Sequence, residues 1–240
     1  MLSLTKGRPI ARIIYANSYE KPKDKNKRFV YITDDLEAKD GIEEIVLPKG
    51  QTLQPLPNNE IREVLYITGP SGSGKSTYTG NYIKEFLKVK KNKEKDYYVI
   101  SSVTEDKVLD DMNPIRVPID NELINDPVTT YDFPDSIVVF DDIGTITDKK
   151  HQYVINQLRD GMLETGRHTN STMVVTSHLM SDYKNTRKIL NESTSVTFFP
   201  RSGAKHQIKQ FLSTYGGLDK EMITKVLKLP SRWVSLYKTY

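Results

Sequence analysis

The nine residues GPSGSGKST, Gly69 to Thr77, restrict this chain more than any other feature. They follow the apolar run VLYITG (64–69) and precede a stretch in which Tyr78, Tyr82 and Phe86 recur every four residues beside Ile83 and Leu87. Strand, glycine-rich turn and helix in that order are the context in which the pattern G-x-x-x-x-G-K-[ST] holds phosphate. Each residue type has a chemical reason. Gly69, Gly72 and Gly74 allow the backbone to fold tightly around phosphate oxygens, and Pro70, Ser71, Ser73, Ser76 and Thr77 complete a loop whose N–H groups face the anion at the helix N-terminus. Lys75 reaches the β and γ phosphates, and Ser76 offers a hydroxyl to Mg²⁺. The aromatic stripe that follows is read as core packing.

Four more apolar, β-branched runs follow: YYVISS (97–102), SIVVFD (136–141), TMVVTS (172–177) and SVTFF (195–199). Alternating with helices, they predict an open parallel sheet of five strands. Val154, Leu158 and Met162 mark a helix after the third strand, with Gly166 as its stop. Upstream, IARIIYA (10–16), RFVYIT (28–33) and EEIVLP (43–48) read as short strands, and Pro55 to Glu60 as a linker. The expected division is therefore 1–62, an N-terminal β-rich segment; 63–200, the phosphate-loop core; and 201–240, a basic C-terminal helical extension. In the last part Ile208, Phe211, Leu212 and Tyr215 fall on one helix face, Gly216-Gly217 break it, and Asp219 can cap a second helix. That pair reads either as a DNA-reading helix-turn-helix or as a helical cap closing the core. Residues 104–134 form an acidic, proline-containing insertion with no assigned role, a pore-facing loop or a plain surface excursion.

Composition narrows the classes. Among 240 residues there is no cysteine, which excludes a disulfide framework and a Cys-built zinc site. No apolar run approaches the roughly 18 residues of a membrane span, and MLSLTKGRPI lacks a secretory core, so an intracellular protein without a membrane partner is expected. Net charge is +2 over residues 1–62 (11 Lys+Arg, 9 Asp+Glu), −4 over 63–200 (16 and 20) and +6 over 201–240 (8 and 2). The basic end points either to an anionic partner such as nucleic acid or to a solvated face without one.

SIVVFDD delivers two carboxylates to the end of a buried strand, the edge at which open α/β sheets hold ligands. Asp141 is expected to hold Mg²⁺, directly or through water. Asp142 either orients the water that attacks the γ-phosphate or caps the turn at Ile143-Gly144. Lys75 and Asp141 lie 66 residues apart, so their strands need not be neighbours. If TMVVTSH inserts between them, Ser177 and His178 come close to the γ-phosphate, with His178 as its sensor. Charge developing on the transferred phosphoryl group also calls for an arginine. Arg167, in ETGRHTN, is the first choice for one that reaches a neighbouring subunit's nucleotide, with Arg187 second and Arg159 third.

Taken in order, GPSGSGKST, VVFDDIG, ETGRHTN leading into MVVTSH, then Arg187, Asn191 and the run ending FFP resemble the additional-strand P-loop ATPases of the FtsK-HerA superfamily. Within it the likeness is to the genome-packaging ATPases of large double-stranded DNA viruses and virophages, to which SRWVSLYK (231–238) is also similar. The resemblance covers residues 62–200. It implies an additional-strand (RecA-like) mainly parallel sheet flanked by helices, ATP with Mg²⁺, and a homo-oligomeric ring moving double-stranded DNA into a capsid, with a capsid or portal component as a further partner. It also implies residence in the virion or host-cell cytoplasm, and makes Arg167 the nearest match to a trans-acting arginine. Two positions depart from the pattern: Asp142 stands where cellular members usually have Glu, and His178 where many relatives have Gln. A nucleoside monophosphate kinase and a nucleotide-dependent clamp or assembly factor are the competing functional classes.

Overall fold

The computed structural model describes residues 2–15, 29–33, 44–58, 60–181 and 183–238, with only the backbone of 183–185. The chain divides into two compact units, Met1–Ile61 with Asn81–Lys93, and Arg62–Gly80 with Glu94–Tyr240.

In the first unit β1 (Leu2–Ser3), β2 (Arg8–Tyr15), β3 (Phe29–Ile32) and β4 (Gln51–Pro55) form an antiparallel sheet in the order β1-β3-β2-β4. Two of the three expected strands are present as β2 and β3. The third is displaced: 44–48 pairs with nothing in the sheet, and the strand is QTLQP instead. Ile45 and Leu47 are half-buried but Val46 is 80% exposed, so an apolar run is no guide to pairing here. A turn closed by Gln51 N–H donating to the Pro48 carbonyl leads into β4, whose ladder to β2 rests on backbone bonds. The lysine-rich stretch 20–28 and Asp40-Gly41 lie outside the described residues.

The second unit is built on seven strands. In chain order its elements are β5 (Val64–Thr68), α1 (Lys75–Lys88, whose second half belongs to the first unit), β6 (Tyr97–Ser101), β7 (Ile115–Arg116), α2 (Asn121–Asn125), β8 (Ile137–Asp141), α3 (Lys149–Thr165), β9 (Thr172–Ser177), α4 (Tyr183–Glu192), β10 (Ser195–Phe198), α5 (Lys205–Thr214), α6 (Lys220–Lys228) and β11 (Val234–Tyr237). The strand order is β11-β10-β5-β9-β8-β6-β7, parallel throughout except for the antiparallel β11. All five expected strands are present, and β9 does insert between the phosphate-loop strand and the acidic strand. Each residue of β5 and of β8 is buried, as strands covered by helices on both faces require.

β7 and β11 are the strands the sequence pattern did not reveal. The first lies in the 104–134 insertion, which also carries α2 and buries Leu109, Leu123 and Phe133; this segment covers the sheet edge. Of the helical pair at the C-terminus, α5 buries Ile208, Phe211 and Leu212, with the Phe211 ring edge-on to Phe198 at 6.1 Å. Asp219 caps α6, accepting from Met222 N–H at 2.8 Å. The pair thus closes the core beside β10. α3 ends at Gly166 as expected, although with φ −59° the glycine is needed for room rather than for a left-handed turn. Arg62 donates there to the Met162 and Ser171 carbonyls, both at 2.6 Å, and an added Cβ would stand 2.6 Å from its Nη2. Among the described residues no helix is long and apolar enough to cross a membrane.

Candidate functional site

The phosphate loop starts where β5 runs out. Gly69 N–H donates to the Ser177 carbonyl at 3.0 Å, extending the β5–β9 ladder one step, and a Cβ at Gly69 would stand 2.8 Å from the Phe199 ring. Pro70 to Ser73 then make a turn, Ser73 N–H donating to the Pro70 carbonyl at 3.2 Å. Gly72 and Gly74 hold φ of +72° and +114°, which L side chains rarely adopt. The first backbone bond of α1 is Tyr78 N–H to the Gly74 carbonyl, so the N–H groups of Lys75, Ser76 and Thr77 have no partner within the helix and offer an anion both hydrogen bonds and the helix dipole. Ser71 and Thr77 are exposed, and Pro70 and Ser76 half-buried.

Lys75 is only 7% exposed, and its ammonium donors are all engaged: with the Gly69 carbonyl at 3.1 Å, Asp142 Oδ2 at 3.3 Å and His178 Nδ1 at 3.3 Å. An ammonium can only donate, so Nδ1 accepts and the imidazole proton sits on Nε2, which lies 3.1 Å from the same Asp142 oxygen. Three residues from the starts or ends of three different segments thereby close into one triangle.

The acidic pair is set by β8 and its neighbours. Asp141, 6% exposed, accepts from Thr176 Oγ1 at 2.8 Å across β9 and from Ser101 Oγ at 3.3 Å across β6. Burial pushes the Asp141 carboxyl up, against the Thr176 hydrogen bond and together with the neighbouring Asp142 charge. A divalent cation reverses that balance by favouring the ionised form, so a buried carboxylate at the end of β8 fits Mg²⁺. Thr176 Oγ1 also accepts from Asp142 N–H at 2.9 Å, and this one hydroxyl fixes both acids. Asp142 sits in the left-handed region at φ +44°, ψ +37°, ahead of a short 3-10 turn over Ile143–Thr145. Its carbonyl takes the Thr145 N–H and hydroxyl, at 3.0 and 2.8 Å, while its carboxylate makes no capping bond. The capping reading of Asp142 is therefore displaced. Its Oδ1 is buried with no hydrogen-bond partner among the described residues, leaving one oxygen able to accept a proton from water.

The arginines lie elsewhere. Arg167 is exposed in the turn between α3 and β9, at the sheet edge opposite the loop, so within one chain it is not brought together with Lys75. Arg187 is exposed on α4. Arg159 is buried and clamped by Asp160 Oδ1 at 2.6 and 2.8 Å and by Asn156 Oδ1 at 2.9 Å, which removes it as an arginine reaching another subunit.

Sequence reasoning missed three contributors. Thr176 and Ser101 were visible only as hydroxyls inside apolar strands. Arg232, just before β11, donates from Nε to the Ser73 carbonyl at 3.0 Å and from Nη2 to the Gly72 carbonyl at 3.3 Å. It falls within SRWVSLYK, which the sequence pattern singled out without a role.

No protein-family model matches the chain. It is 44% identical over 207 residues to the "Uncharacterized protein V3" of Sputnik virophage, a match covering 85% of this chain and 82% of that protein. Among solved structures it is similar to the genome packaging NTPase B204 of Sulfolobus turreted icosahedral virus 2 in complex with AMPPCP (13% identity, 73% of this chain and 92% of that one, TM-score 0.47). It is also similar to the pCW3 conjugation coupling protein TcpA (14% identity, 70% and 56%, TM-score 0.48). Identity of 44% over so much of both chains decides the kinship, and the chain belongs to the family of the Sputnik virophage protein V3, carrying the motif set of the FtsK-HerA-type P-loop ATPases.

Proposed function

We propose that this protein is an Mg²⁺-dependent ATPase that drives double-stranded DNA into a viral capsid. The observation that carries the reading is the triangle of Lys75, Asp142 and His178 at the mouth of a phosphate loop, with Asp141 beside it. The loop N–H groups and Lys75 bind the polyphosphate. Asp142 accepts the proton of the attacking water through the oxygen that has no other partner, and His178, tied to both Lys75 and Asp142, responds to the γ-phosphate that displaces it. Ser76 and Asp141 would hold Mg²⁺, which when bound would supply positive charge to offset that of the phosphates.

Arg167, exposed at the sheet edge opposite its own loop, is the arginine this reading offers to a neighbouring subunit of a homo-oligomeric ring. The packaging role rests on the motif set, and the virophage relative adds a viral setting. It brings duplex DNA, a capsid or portal component, and the virion or host-cell cytoplasm as the place of action. Basic loops and the basic segment 201–240 grip the DNA backbone, so affinity falls steeply with salt and shows little base preference.

Steady-state ATP hydrolysis by wild type, Lys75→Ala and Asp142→Asn, with and without duplex DNA at low and moderate salt, tests this. DNA-stimulated hydrolysis that both substitutions remove supports the motor. Phosphate release indifferent to DNA sinks it in favour of a clamp or assembly factor, and turnover that requires an added nucleoside monophosphate makes the protein a kinase.

A further inference from the structure

We propose that Arg232 is a positioning residue for the phosphate loop, and that β11 is the buckle that holds it there; the inference rests on the nucleotide-binding reading above. A planar trans peptide points its carbonyl and the following N–H in opposite directions. By holding the Ser73 carbonyl at 3.0 Å, Arg232 turns the Gly74 N–H to the loop's other side, toward the anion. The Gly72–Ser73 peptide is tied at both ends, its carbonyl to Arg232 and its N–H to the Pro70 carbonyl. A guanidinium suits this task because its fork engages two acceptors in one plane and stays charged. It also packs against Gly74, 3.5 Å from where a Cβ would stand, and so adds positive charge close to the loop.

Arg232 is itself held by the strand that follows. Trp233 meets Tyr78 edge-on at 4.9 Å, and Tyr78 lies in the first turn of α1, the helix that ends the loop. The Tyr78 hydroxyl bonds Ser235 Oγ at 2.9 Å, and Ser235 Oγ bonds Thr197 Oγ1 at 2.6 Å, tying β11, β10 and α1 into one unit. Arg232 thus reaches the loop from a rigid base across 159 residues of sequence. The protein's own bonds thus hold the Gly72 and Ser73 carbonyls in one orientation.

The prediction follows from which step uses the loop. Its N–H groups grip the β-phosphate, so loss of Arg232 weakens ADP and ATP alike and spares the chemical step. Binding of mant-ADP, read by energy transfer from Trp233, the chain's single tryptophan, is compared in wild type, Arg232→Ala and Arg232→Lys, alongside ATP hydrolysis. Arg232→Ala should weaken mant-ADP by about tenfold, the worth of one hydrogen bond to a charged group, raise KM for ATP by the same factor and leave kcat within about twofold. Arg232→Lys keeps the charge and loses the fork, and should recover about a third of the lost affinity on a logarithmic scale. If the alanine variant fails to fold, the lysine variant decides, since equal affinity to wild type overturns the proposal. So does a fall in kcat at unchanged KM, which would put Arg232 on the reacting phosphate. Wild type that does not bind mant-ADP overturns the nucleotide reading itself, an outcome distinct from wild type that binds and variants that bind equally well.

Discussion

Asp142→Asn should bind ADP more tightly than wild type. Asp142 opposes an incoming phosphate in two ways, by occupying Lys75 and by presenting a like charge beside it. At the observed 3.3 Å and an effective dielectric of about 20, the Lys75–Asp142 attraction is roughly 5 kcal/mol. Only part of that opposes binding. Asp142 is 17% exposed, its side chain can relax toward solvent, and Lys75 keeps the Gly69 carbonyl throughout. A realised competition of about 1.5 kcal/mol corresponds to roughly tenfold in affinity. Asparagine suits the left-handed backbone at 142 and can still accept from Lys75, so the fold should survive the change. Titration calorimetry with ADP and Mg²⁺ at fixed ionic strength isolates the effect, because ADP lacks the γ-phosphate and no turnover intervenes. Equal or weaker ADP binding by Asp142→Asn refutes the argument that the acid and the nucleotide compete for Lys75.

Three further outcomes follow from the same geometry. Thr176→Val removes a hydroxyl that is 2% exposed, serves Asp141 and satisfies the Asp142 N–H; it should cost about 2–4 kcal/mol, seen as a fall in melting temperature of roughly 5–12 °C. Asp141→Asn should abolish hydrolysis and yet raise the melting temperature of metal-free protein at neutral pH by about 2–4 °C. Burial raises the Asp141 carboxyl above its unfolded value, so the folded state holds the proton more tightly and ionisation destabilises it. The penalty is full above the raised value and fades as pH falls to about 4, so the gain from asparagine should fade with it in melts across pH. Finally, mixing Arg167→Ala with Lys75→Ala, each inactive alone, should restore ATP hydrolysis, because a subunit with an intact loop then meets an intact arginine from its neighbour; a mixture as inactive as its components removes Arg167 from the trans role.

The limits of legibility in this sequence follow from where each contact gets its energy. The phosphate loop could be read because its chemistry needs particular residues in one unbroken segment, and β5, β6, β8, β9 and β10 because strands buried on both faces must be continuously apolar. β4 and β11 obey neither condition. Each is an outermost strand with one partner, so backbone ladders hold it and residues such as those of QTLQP carry little pattern. Asp142 was ambiguous because a carboxylate before a turn can cap it; the left-handed backbone, which sends the carbonyl to Thr145 instead, depends on Thr176 from another strand.

Strand order is what turns these separate signals into a site. Lys75 and Asp142 stand 67 residues apart and Asp142 and His178 another 36, yet all three meet within 3.3 Å. They do so because β9 occupies the place between β5 and β8, bringing His178 to the end of the phosphate-loop strand and Thr176 across from the acids. Had β9 lain outside β8, Lys75 would face Asp142 without the histidine, and Asp142 would lack the hydroxyl that holds its N–H. The same order explains why Arg167 is remote. Parallel strands keep all their C-terminal ends on one edge, so a turn that leads into β9 must lie on the other, roughly 17–20 Å away by strand length. A sheet of this order gathers Asp141, Asp142 and His178 at one edge and leaves Arg167 at the other, which is the separation the mixing experiment puts to the test.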